Sequence, residues 1–324
     1  MRTKIRNKRI FLTGGAGFIG STLAQLLATE NEIVIFDNFS RDSLKYKKLP
    51  SKNVTLVHGD IRDLETLKKV CEEFQPQIAV HLAAIAGVDT VIQNPIKTME
   101  INIIGTFNFL KANEKYSHKL ERIMNFSTSE VLGAYAYKSD EKADTNFAPV
   151  GEARWTYSVS KVAGEHLLYS YYKEKGYPVV SIRPFNIYGP GQIGEGAIQV
   201  FIKNAVKNKT IEIHGDGDQI RSWCYVDDMM EGIILALTNK GAIGEIFNIG
   251  NPKGTVTITS LAEKVISLCP TKSKIKYVPK NYVDVELRIP SIEKAQKILG
   301  YQPKVGLDEG IKKTFAWYKK WLIK

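Results

Sequence analysis

The chain has 324 residues, 44% of them hydrophobic, a size that favours one large domain with a smaller second one. Its formal net charge is +11, but the basic residues are scattered along the chain and are not interleaved with aromatic residues, which argues against a nucleic-acid-binding protein. No apolar run is long enough for a membrane span or a signal-peptide core, and the widely separated Cys71, Cys224 and Cys269 lack the spacing of metal ligands. We therefore expect a cytoplasmic protein with free thiols and neither a membrane nor a metal site.

A glycine-rich turn follows the first apolar segment. Residues 10–12 have the character of a short buried strand, Gly14, Gly17 and Gly20 follow at three-residue spacing, and residues 21–29 are predicted to be helical. In such a turn the glycines allow a tight bend, a close approach of the backbone to a pyrophosphate, and close packing of the helix on the strand. The phosphates then bind the free N–H groups at the start of the helix. The pattern predicts a dinucleotide-binding turn.

The second predicted strand, residues 33–36, ends in Asp37 and is followed by Asn38. This acid lies about 20 residues beyond the glycines, where dinucleotide-binding folds use a carboxylate to bind the ribose hydroxyls of the adenosine half. Because a carboxylate repels a 2′-phosphate, the sequence favours NAD over NADP.

Acidic and small residues follow the next two predicted strands. The turn at residues 59–63, which includes Asp60, is placed to bind the adenine amino group, and it is also expected to cap the predicted helix 64–74. The strand 78–82 leads into Ala83 and Ala84, whose small side chains let a dinucleotide lie against the backbone. His81, within that strand, is expected to be a core residue and not a catalyst.

Predicted strands and helices continue to alternate, with helices at 99–113 and 155–175 and strands at 123–126 and 179–182. Alternation of this kind predicts an α/β fold with a doubly wound parallel Rossmann sheet. We expect residues 1–185 to form the NAD-binding domain. Residues 186–324 are expected to form a smaller C-terminal α/β substrate-binding domain, with residues 223–250 returning to the large sheet. Within this second part, residues 283–290 are predicted to be a loop.

Tyr157 and Lys161 lie four residues apart at the start of the predicted helix 155–175, so both face one side of it. This helix start lies near the carboxyl ends of the strands, where open parallel sheets bind their ligands. A lysine beside a tyrosine favours the phenolate and makes the tyrosine a usable base. Tyr169 with Lys173, further along the helix, has the same spacing but is expected to be a surface pair.

Together these motifs resemble the extended short-chain dehydrogenase/reductase family, specifically its nucleotide-sugar epimerases, dehydratases and decarboxylases. The resemblance covers nearly the whole chain. The matching segments are residues 13–20, 37–38, 59–63, 81–84, Asn102, 127–130, Tyr157 with Lys161, 183–186, 188–191 and 248–252. One departure is Leu132, where the family usually has tyrosine, and we expect it to change the wall of the pocket without abolishing the chemistry.

The resemblance implies a common first step on a nucleotide-linked sugar, most simply a UDP-sugar. Tyr157, assisted by Thr128, takes the proton of the C4 hydroxyl while hydride passes from C4 to NAD, and Lys161 holds the nicotinamide ribose. The residues implied to be catalytic are Tyr157, Lys161, Thr128, Ser129 and Glu130. Those implied to bind the cofactor are Gly14, Gly17, Phe18, Ile19, Asp37, Asn38, Asp60, Ile61, Leu82, Ala83, Ala84, Asn102, Tyr157, Lys161 and Pro184. Those implied to bind the substrate are Asn186, Arg221, Arg288 and Arg154.

The step after C4 oxidation stays open at this point. Ser129 and Glu130 stand where the 4,6-dehydratases have an acid–base pair, with serine in place of the usual aspartate, and a carboxylate near C5 favours dehydration or 5-epimerisation. Glu130 is otherwise a loop carboxylate bound to backbone amides. Residues 151–157 and 285–291 instead resemble UDP-glucuronate decarboxylases, in which a serine–glutamate pair and an arginine line the sugar. A simple 4-epimerase and a catalytically silent NAD-binding regulator are the remaining alternatives.

The predicted helices 99–113 and 155–175 have more apolar side chains than one face of a sheet can cover, among them Phe107, Leu110 and Leu167. In the family these helices form an intersubunit four-helix bundle. The sequence therefore predicts a homodimer.

Overall fold

The computed structural model describes residues 5–145, 147, 149–279 and 284–322. The outermost residues of the basic terminal segments and Val283, the first residue of the predicted loop 283–290, lie outside these ranges. The elements of the first half, in chain order, are β1 Arg9–Thr13, α1 Phe18–Leu27, β2 Glu32–Asp37, β3 Val54–His58, α2 Leu64–Phe74, β4 Ile78–His81, α3 Val88–Gln93, α4 Pro95–Met99, α5 Gly105–Ala112, β5 Arg122–Phe126, β6 Tyr135–Ser139 and α6 Thr156–Lys175. Those of the second half are β7 Val179–Pro184, β8 Ile187–Tyr188, α7 Ala197–Val206, β9 Ile211–His214, β10 Ile220–Ser222, β11 Cys224–Tyr225, α8 Val226–Thr238, β12 Glu245–Ile249, β13 Thr255–Thr257, α9 Ile258–Leu268, β14 Ile275–Val278, β15 Leu287–Pro290 and α10 Leu307–Leu322.

Seven parallel strands form the large sheet, in the order β12-β7-β5-β4-β1-β2-β3. Its inner strands are apolar and buried, because helices cover both faces. The predicted doubly wound α/β sheet is confirmed. All seven carboxyl ends lie at one edge, so the turns after β1, β2, β4, β5 and β7 meet there.

The glycine turn depends on a close contact between two strand ends. Gly14 has a φ of +70°, and a Cβ at this position would lie 2.4 Å from the backbone nitrogen of Ala83, which follows β4. Any side chain at position 14 would push these two strand ends apart. The first glycine is therefore required by packing as well as by the turn.

The second half adds a four-stranded sheet in the order β13-β10-β15-β6, while β12 lies beside β7 in the large sheet. The prediction of a loop through residues 283–290 is wrong for its last part, since Leu287–Pro290 is strand β15, paired in parallel with β10 and β6. Strand β6 was not predicted either. Both strands are short, and β6, at a sheet edge, alternates exposed tyrosines with the buried Ala136. This pattern is too brief to predict a strand from the sequence, and β6 is stabilised by pairing with β15.

The helix predicted at 99–113 is interrupted. Helix α4 continues through a π turn, Glu100–Ile104, into α5. The π turn contains Asn102, whose side chain is buried. Such turns often occur at functional sites.

No helix in the ranges given above combines the length and apolar character needed to cross a membrane. Within the same ranges, no group of three or more His, Cys, Asp or Glu side chains is placed to hold a metal ion.

A buried ion pair joins α6 to the large sheet. Arg183, on β7, donates from Nε and Nη2 to the two carboxylate oxygens of Glu165, each at 2.7 Å. The two side chains are only 4% and 6% exposed. Their bidentate geometry compensates the loss of hydration that burial imposes.

We predict that Arg183→Met lowers the free energy of unfolding by about 3–5 kcal/mol, because it leaves Glu165 buried and uncompensated. The shift in the urea midpoint measures this loss. Lys313→Met removes an exposed pair with Glu309 and serves as the control, which should unfold close to wild type. Equal midpoints for the two variants would contradict the prediction.

Candidate functional site

A cleft of about 630 Å³ opens at the carboxyl edge of the large sheet. It is lined by most of the residues that the sequence predicts to contact a cofactor, together with Thr128. Those predicted residues are Gly14, Gly17, Phe18, Ile19, Asp37, Asn38, Asp60, Ile61, Leu82, Ala83, Ala84, Tyr157, Lys161 and Pro184. The structure thus brings the glycine turn and the tyrosine–lysine pair, far apart in sequence, to one cavity.

The residues at the glycine turn fit a dinucleotide. Helix α1 begins at Phe18 with Gly17 as its N-cap, and no side chain caps its first N–H groups. These groups and the helix dipole favour an anionic group at this point. Asp37 accepts hydrogen bonds from the N–H groups of Ala16, at 2.9 Å, and Phe39, at 2.8 Å, which hold its carboxylate at the end of β2. Burial raises the pKa of Asp37, with these N–H groups opposing the shift.

The acidic turn after β3 supplies the predicted helix cap and also places a carboxylate in the cleft. Asp63 caps α2 by accepting the N–H of Thr66 at 3.1 Å. Asp60 lines the cleft and is paired with Arg62, whose Nη2 lies 2.7 Å from its carboxylate. This pairing lowers the pKa of Asp60 and keeps the carboxylate charged.

Asn102 lies behind the wall of the cleft and not in it. Its Oδ1 accepts the N–H of Ile85 at 2.8 Å, and its Nδ2 donates to the Ile85 carbonyl and to Ser160 Oγ. Ser160 in turn donates to the carbonyl oxygen of Tyr157. Asn102 therefore connects the segment after β4 to the first turn of α6. We infer that it contributes to cofactor binding indirectly, by holding this wall of the cleft in position.

His81 is the core residue that the sequence predicts. Its ring bonds to Thr13 Oγ1 at 2.7 Å through Nδ1 and to Thr106 Oγ1 at 3.0 Å through Nε2. Since Thr106 donates its own proton to the Asn102 carbonyl, the ring proton lies on Nε2. Burial lowers the pKa of His81 to about 3, so the ring is neutral.

Tyr157 and Lys161 both reach the cleft from the first two turns of α6. Lys161 Nζ donates to the carbonyl of Phe126 at 2.7 Å and lies 5.9 Å from the centre of the Tyr157 ring. Burial lowers the pKa of Lys161 to about 8, with Glu165 opposing the shift.

The sequence predicts that Tyr157 favours the phenolate, but the protein groups around Tyr157 have the opposite effect. Burial raises the pKa of Tyr157 above its ordinary value, and the negative charge of Glu130 adds to the effect. A hydrogen bond with Thr128 and the positive charge of Arg154 act in the opposite direction without outweighing them. The protein alone therefore holds Tyr157 as the neutral phenol, which can donate a proton but must lose its own before it can accept one.

The side chain of Glu130 lies among arginines, and within the described ranges no backbone amide donates to it. Its Oε2 is 2.5 Å from Arg154 Nη1, and its Oε1 is 4.0 Å from Arg288 Nη1. Burial by itself raises the pKa of Glu130, but the charges of Arg154 and Arg288 outweigh it and leave the pKa below its ordinary value. Glu130 is therefore ionised at neutral pH.

Asp284, which no sequence pattern singled out, continues this cluster. Its carboxylate lies 3.9 Å from Arg154 Nη2 and 3.5 Å from Arg221 Nη2. We call Glu130, Arg154, Arg221, Asp284 and Arg288 the arginine cluster. Its members include three positive and two negative charges, an arrangement that favours binding of a further anionic group.

Arg288 and Arg221 are neighbours on the paired strands β15 and β10 but use their guanidinium groups differently. Arg221 donates to the carbonyls of Ile220, Val285 and Glu286, so backbone groups already bind this predicted substrate-binding side chain. Arg288 donates from Nη2 to the Gly133 carbonyl at 2.6 Å. Its buried Nε has no hydrogen-bond partner among the described residues. Burial lowers the pKa of Arg288 to about 9, although Glu130 opposes the shift.

The remaining predicted site residues lie near these groups. Ser129 is buried in the turn after Thr128. Asn186 follows β7 with a φ of +42° and donates to the Ser222 carbonyl at 2.9 Å. Leu132 packs in a buried apolar cluster with Ala136 and Phe185 and is not among the residues that line the cleft, so its effect on the pocket wall stays a prediction.

Comparison with known proteins identifies the family of the chain. The model of the "NAD dependent epimerase/dehydratase family" matches residues 10–250. UDP-N-acetyl-alpha-D-glucosaminuronate decarboxylase of Bacillus cytotoxicus is 33% identical over 323 residues, covering 97% of this chain and 98% of that protein. UDP-glucuronic acid decarboxylase 6 of Arabidopsis thaliana is 36% identical over 313 residues, covering 94% of this chain and 87% of that protein.

A solved structure shares the architecture. UDP-glucuronic acid 4-epimerase from Bacillus cereus, in complex with UDP-glucuronic acid and NAD, superposes with a TM-score of 0.83 at 30% identity, covering 97% of this chain and 99% of that one. The family match and these near-complete alignments confirm the predicted resemblance and the predicted cofactor. The chain belongs to the NAD-dependent epimerase/dehydratase family.

Proposed function

We propose that the protein is an NAD-dependent decarboxylase of a UDP-linked uronic acid. The observation that carries the proposal is the arginine cluster, in which Arg288 has a buried Nε without a partner among the described residues. A buried guanidinium with an unused donor is suited to bind a carboxylate. The decarboxylases named above, at 33% and 36% identity, act on sugars that carry such a group.

The first step belongs to the residues that line the cleft. Tyr157, hydrogen-bonded to Thr128, takes the proton of the C4 hydroxyl as the phenolate, and Lys161 holds the ribose next to it. Because the protein alone favours the phenol, this step needs the positive charge of the bound oxidised cofactor, which would lower the pKa of Tyr157. NAD would also supply the hydride acceptor for C4 and the hydride donor for the final reduction. The sugar is then a 4-keto acid. Its carboxylate leaves as carbon dioxide when the electrons of the C5–C6 bond move into the ketone, and C5 is protonated afterwards.

Dehydration requires acid–base catalysis by Ser129 and Glu130, whereas decarboxylation does not. Dehydration needs an acid to protonate the leaving C6 hydroxyl and a base to remove the C5 proton. Ser129 is a weak acid, and Glu130, held ionised by Arg154, has a lowered pKa that weakens it as a base. Loss of carbon dioxide needs neither group.

One observation favours the second candidate, C5 chemistry of the dehydratase or 5-epimerase type. The carboxylate of Glu130 is near enough to Tyr157 to raise its pKa, so it lies close to where C4 of a sugar would react. A base close to C4 is also close to the neighbouring C5, whose proton both of these reactions remove.

The first experiment identifies the reaction. We expect purified protein with NAD to convert UDP-glucuronate or UDP-N-acetylglucosaminuronate into a product lighter by one carbon dioxide, measured by mass spectrometry. Tyr157→Phe should lose about 10²–10⁴ in rate, as loss of a general base does. A product lighter by one water from UDP-glucose or dTDP-glucose would favour the second candidate. No conversion of any of these sugars would favour a silent NAD-binding regulator.

The second experiment uses Glu130→Gln. If Glu130 only positions the arginine cluster, the variant still releases carbon dioxide from the 4-keto acid, at reduced affinity for the substrate. If Glu130 is the C5 base, the sugar stops at the 4-keto stage and NADH absorbance accumulates. Glu152→Gln, an exposed glutamate just before α6, is the control and should behave as wild type.

We also propose that the protein is a cytoplasmic homodimer that pairs through α4, α5 and α6. These elements expose the apolar side chains of Ile96, Phe107, Val159 and Tyr169, which a second copy would cover. Light scattering at micromolar concentration should give twice the chain mass for wild type, and the mass of a single chain for Phe107→Glu. Leu56→Glu changes an exposed apolar residue on β3 and should leave the mass unchanged. A wild-type monomer would contradict the proposal.

A further inference from the structure

The mouth of the cleft is bridged by Glu195, in the segment between β8 and α7. Its Oε2 accepts the N–H of Asp89 at 3.0 Å, and its Oε1 accepts the hydroxyl of Thr90. Arg41 Nη2 lies 3.5 Å from Oε1 and donates to Thr90 Oγ1 at 3.0 Å. One carboxylate thus holds three groups from two other segments.

These contacts join opposite sides of the cleft. Arg41 follows β2 on the side of Asp37, while Asp89 and Thr90 begin α3 after β4. The carboxylate lies against bare backbone, since a Cβ on Gly87 would be 2.6 Å from Glu195 Oε2. Arg41 and Thr90 line the same cleft as Tyr157, together with Gln192 and Ile193 from the segment that carries Glu195.

We propose that Glu195 and Arg41 form a latch that retains the dinucleotide between turnovers. In this family the dinucleotide is reduced and reoxidised within one reaction. If the reduced form left before the final step, the sugar would remain as the 4-keto intermediate. A bridge across the mouth opposes that loss. The inference concerns cofactor release and does not depend on which reaction follows C4 oxidation.

The ion pair of the latch can break and form again in solution. The side chains of Arg41 and Glu195 are 39% and 29% exposed, so water and salt compete for the pair. The next contact along the segment, from Ser43 Oγ to the Gly191 carbonyl at 2.9 Å, does not involve Glu195. Loss of Glu195 should therefore loosen the mouth without detaching the whole segment.

The test measures cofactor exchange directly. Protein loaded with radiolabelled NAD is mixed with an excess of unlabelled NAD, and the loss of bound label is followed in time. We expect Glu195→Gln to exchange roughly tenfold faster than wild type, the change expected when a charge-assisted hydrogen bond is lost. Exchange by wild type should also become faster at high salt, because the pair is partly exposed.

Two further variants complete the experiment. Glu212→Gln makes the same chemical change at an exposed position of β9, away from the cleft, and should exchange like wild type. Arg41→Met combined with Glu195→Gln should exchange no faster than the faster single variant, because both remove one bridge. Exchange by Glu195→Gln at the wild-type rate would overturn the latch. So would additive effects of the two substitutions.

Discussion

A side chain at position 14 would occupy the space where the ends of β1 and β4 touch, and this constraint organises the rest of the site. With the two strand ends in contact, the glycine turn and Ala83 form one continuous floor for the cleft. Helix α1 then starts beside that floor with uncapped N–H groups, and Asp37 stands at the end of the adjacent strand. The floor of the dinucleotide site is thus a consequence of close backbone packing, to which Asp37 adds a carboxylate.

The second half of the site is organised by charge. Three guanidinium groups are costly to remove from water, and Glu130 and Asp284 offset only part of that cost. The cluster is most stable when another anion joins it. Under the proposed function, substrate binding and local stability are therefore coupled at the arginine cluster, whereas the cofactor part of the site relies on hydrogen bonds that exist before any ligand binds. This division of labour predicts that the protein selects an acidic sugar over a neutral one by charge.

Features with a local cause were predictable from the sequence. The glycine turn, Asp37, helix α2 and the position of Tyr157 and Lys161 follow from short-range patterns, and the structure places all of them as expected. Features that depend on partners distant in sequence were not. Strand β15 exists because β10 and β6 flank it, and Asp284 matters because Arg154 and Arg221 lie nearby. The state of Tyr157 also depends on burial and on Glu130, which no spacing along one helix reveals.

The π turn at Glu100–Ile104 lets this region hold one more residue between α4 and α5 than a regular helix would. Deleting one residue within the turn would restore a regular α-helix and leave α4 and α5 nearly in their present orientation, because the turn already absorbs the extra residue. Deleting one residue from α5, between the turn and Phe107, would instead rotate the rest of that helix by about 100°. The proposed subunit pairing should therefore tolerate a one-residue change of length at the π turn but not within α5.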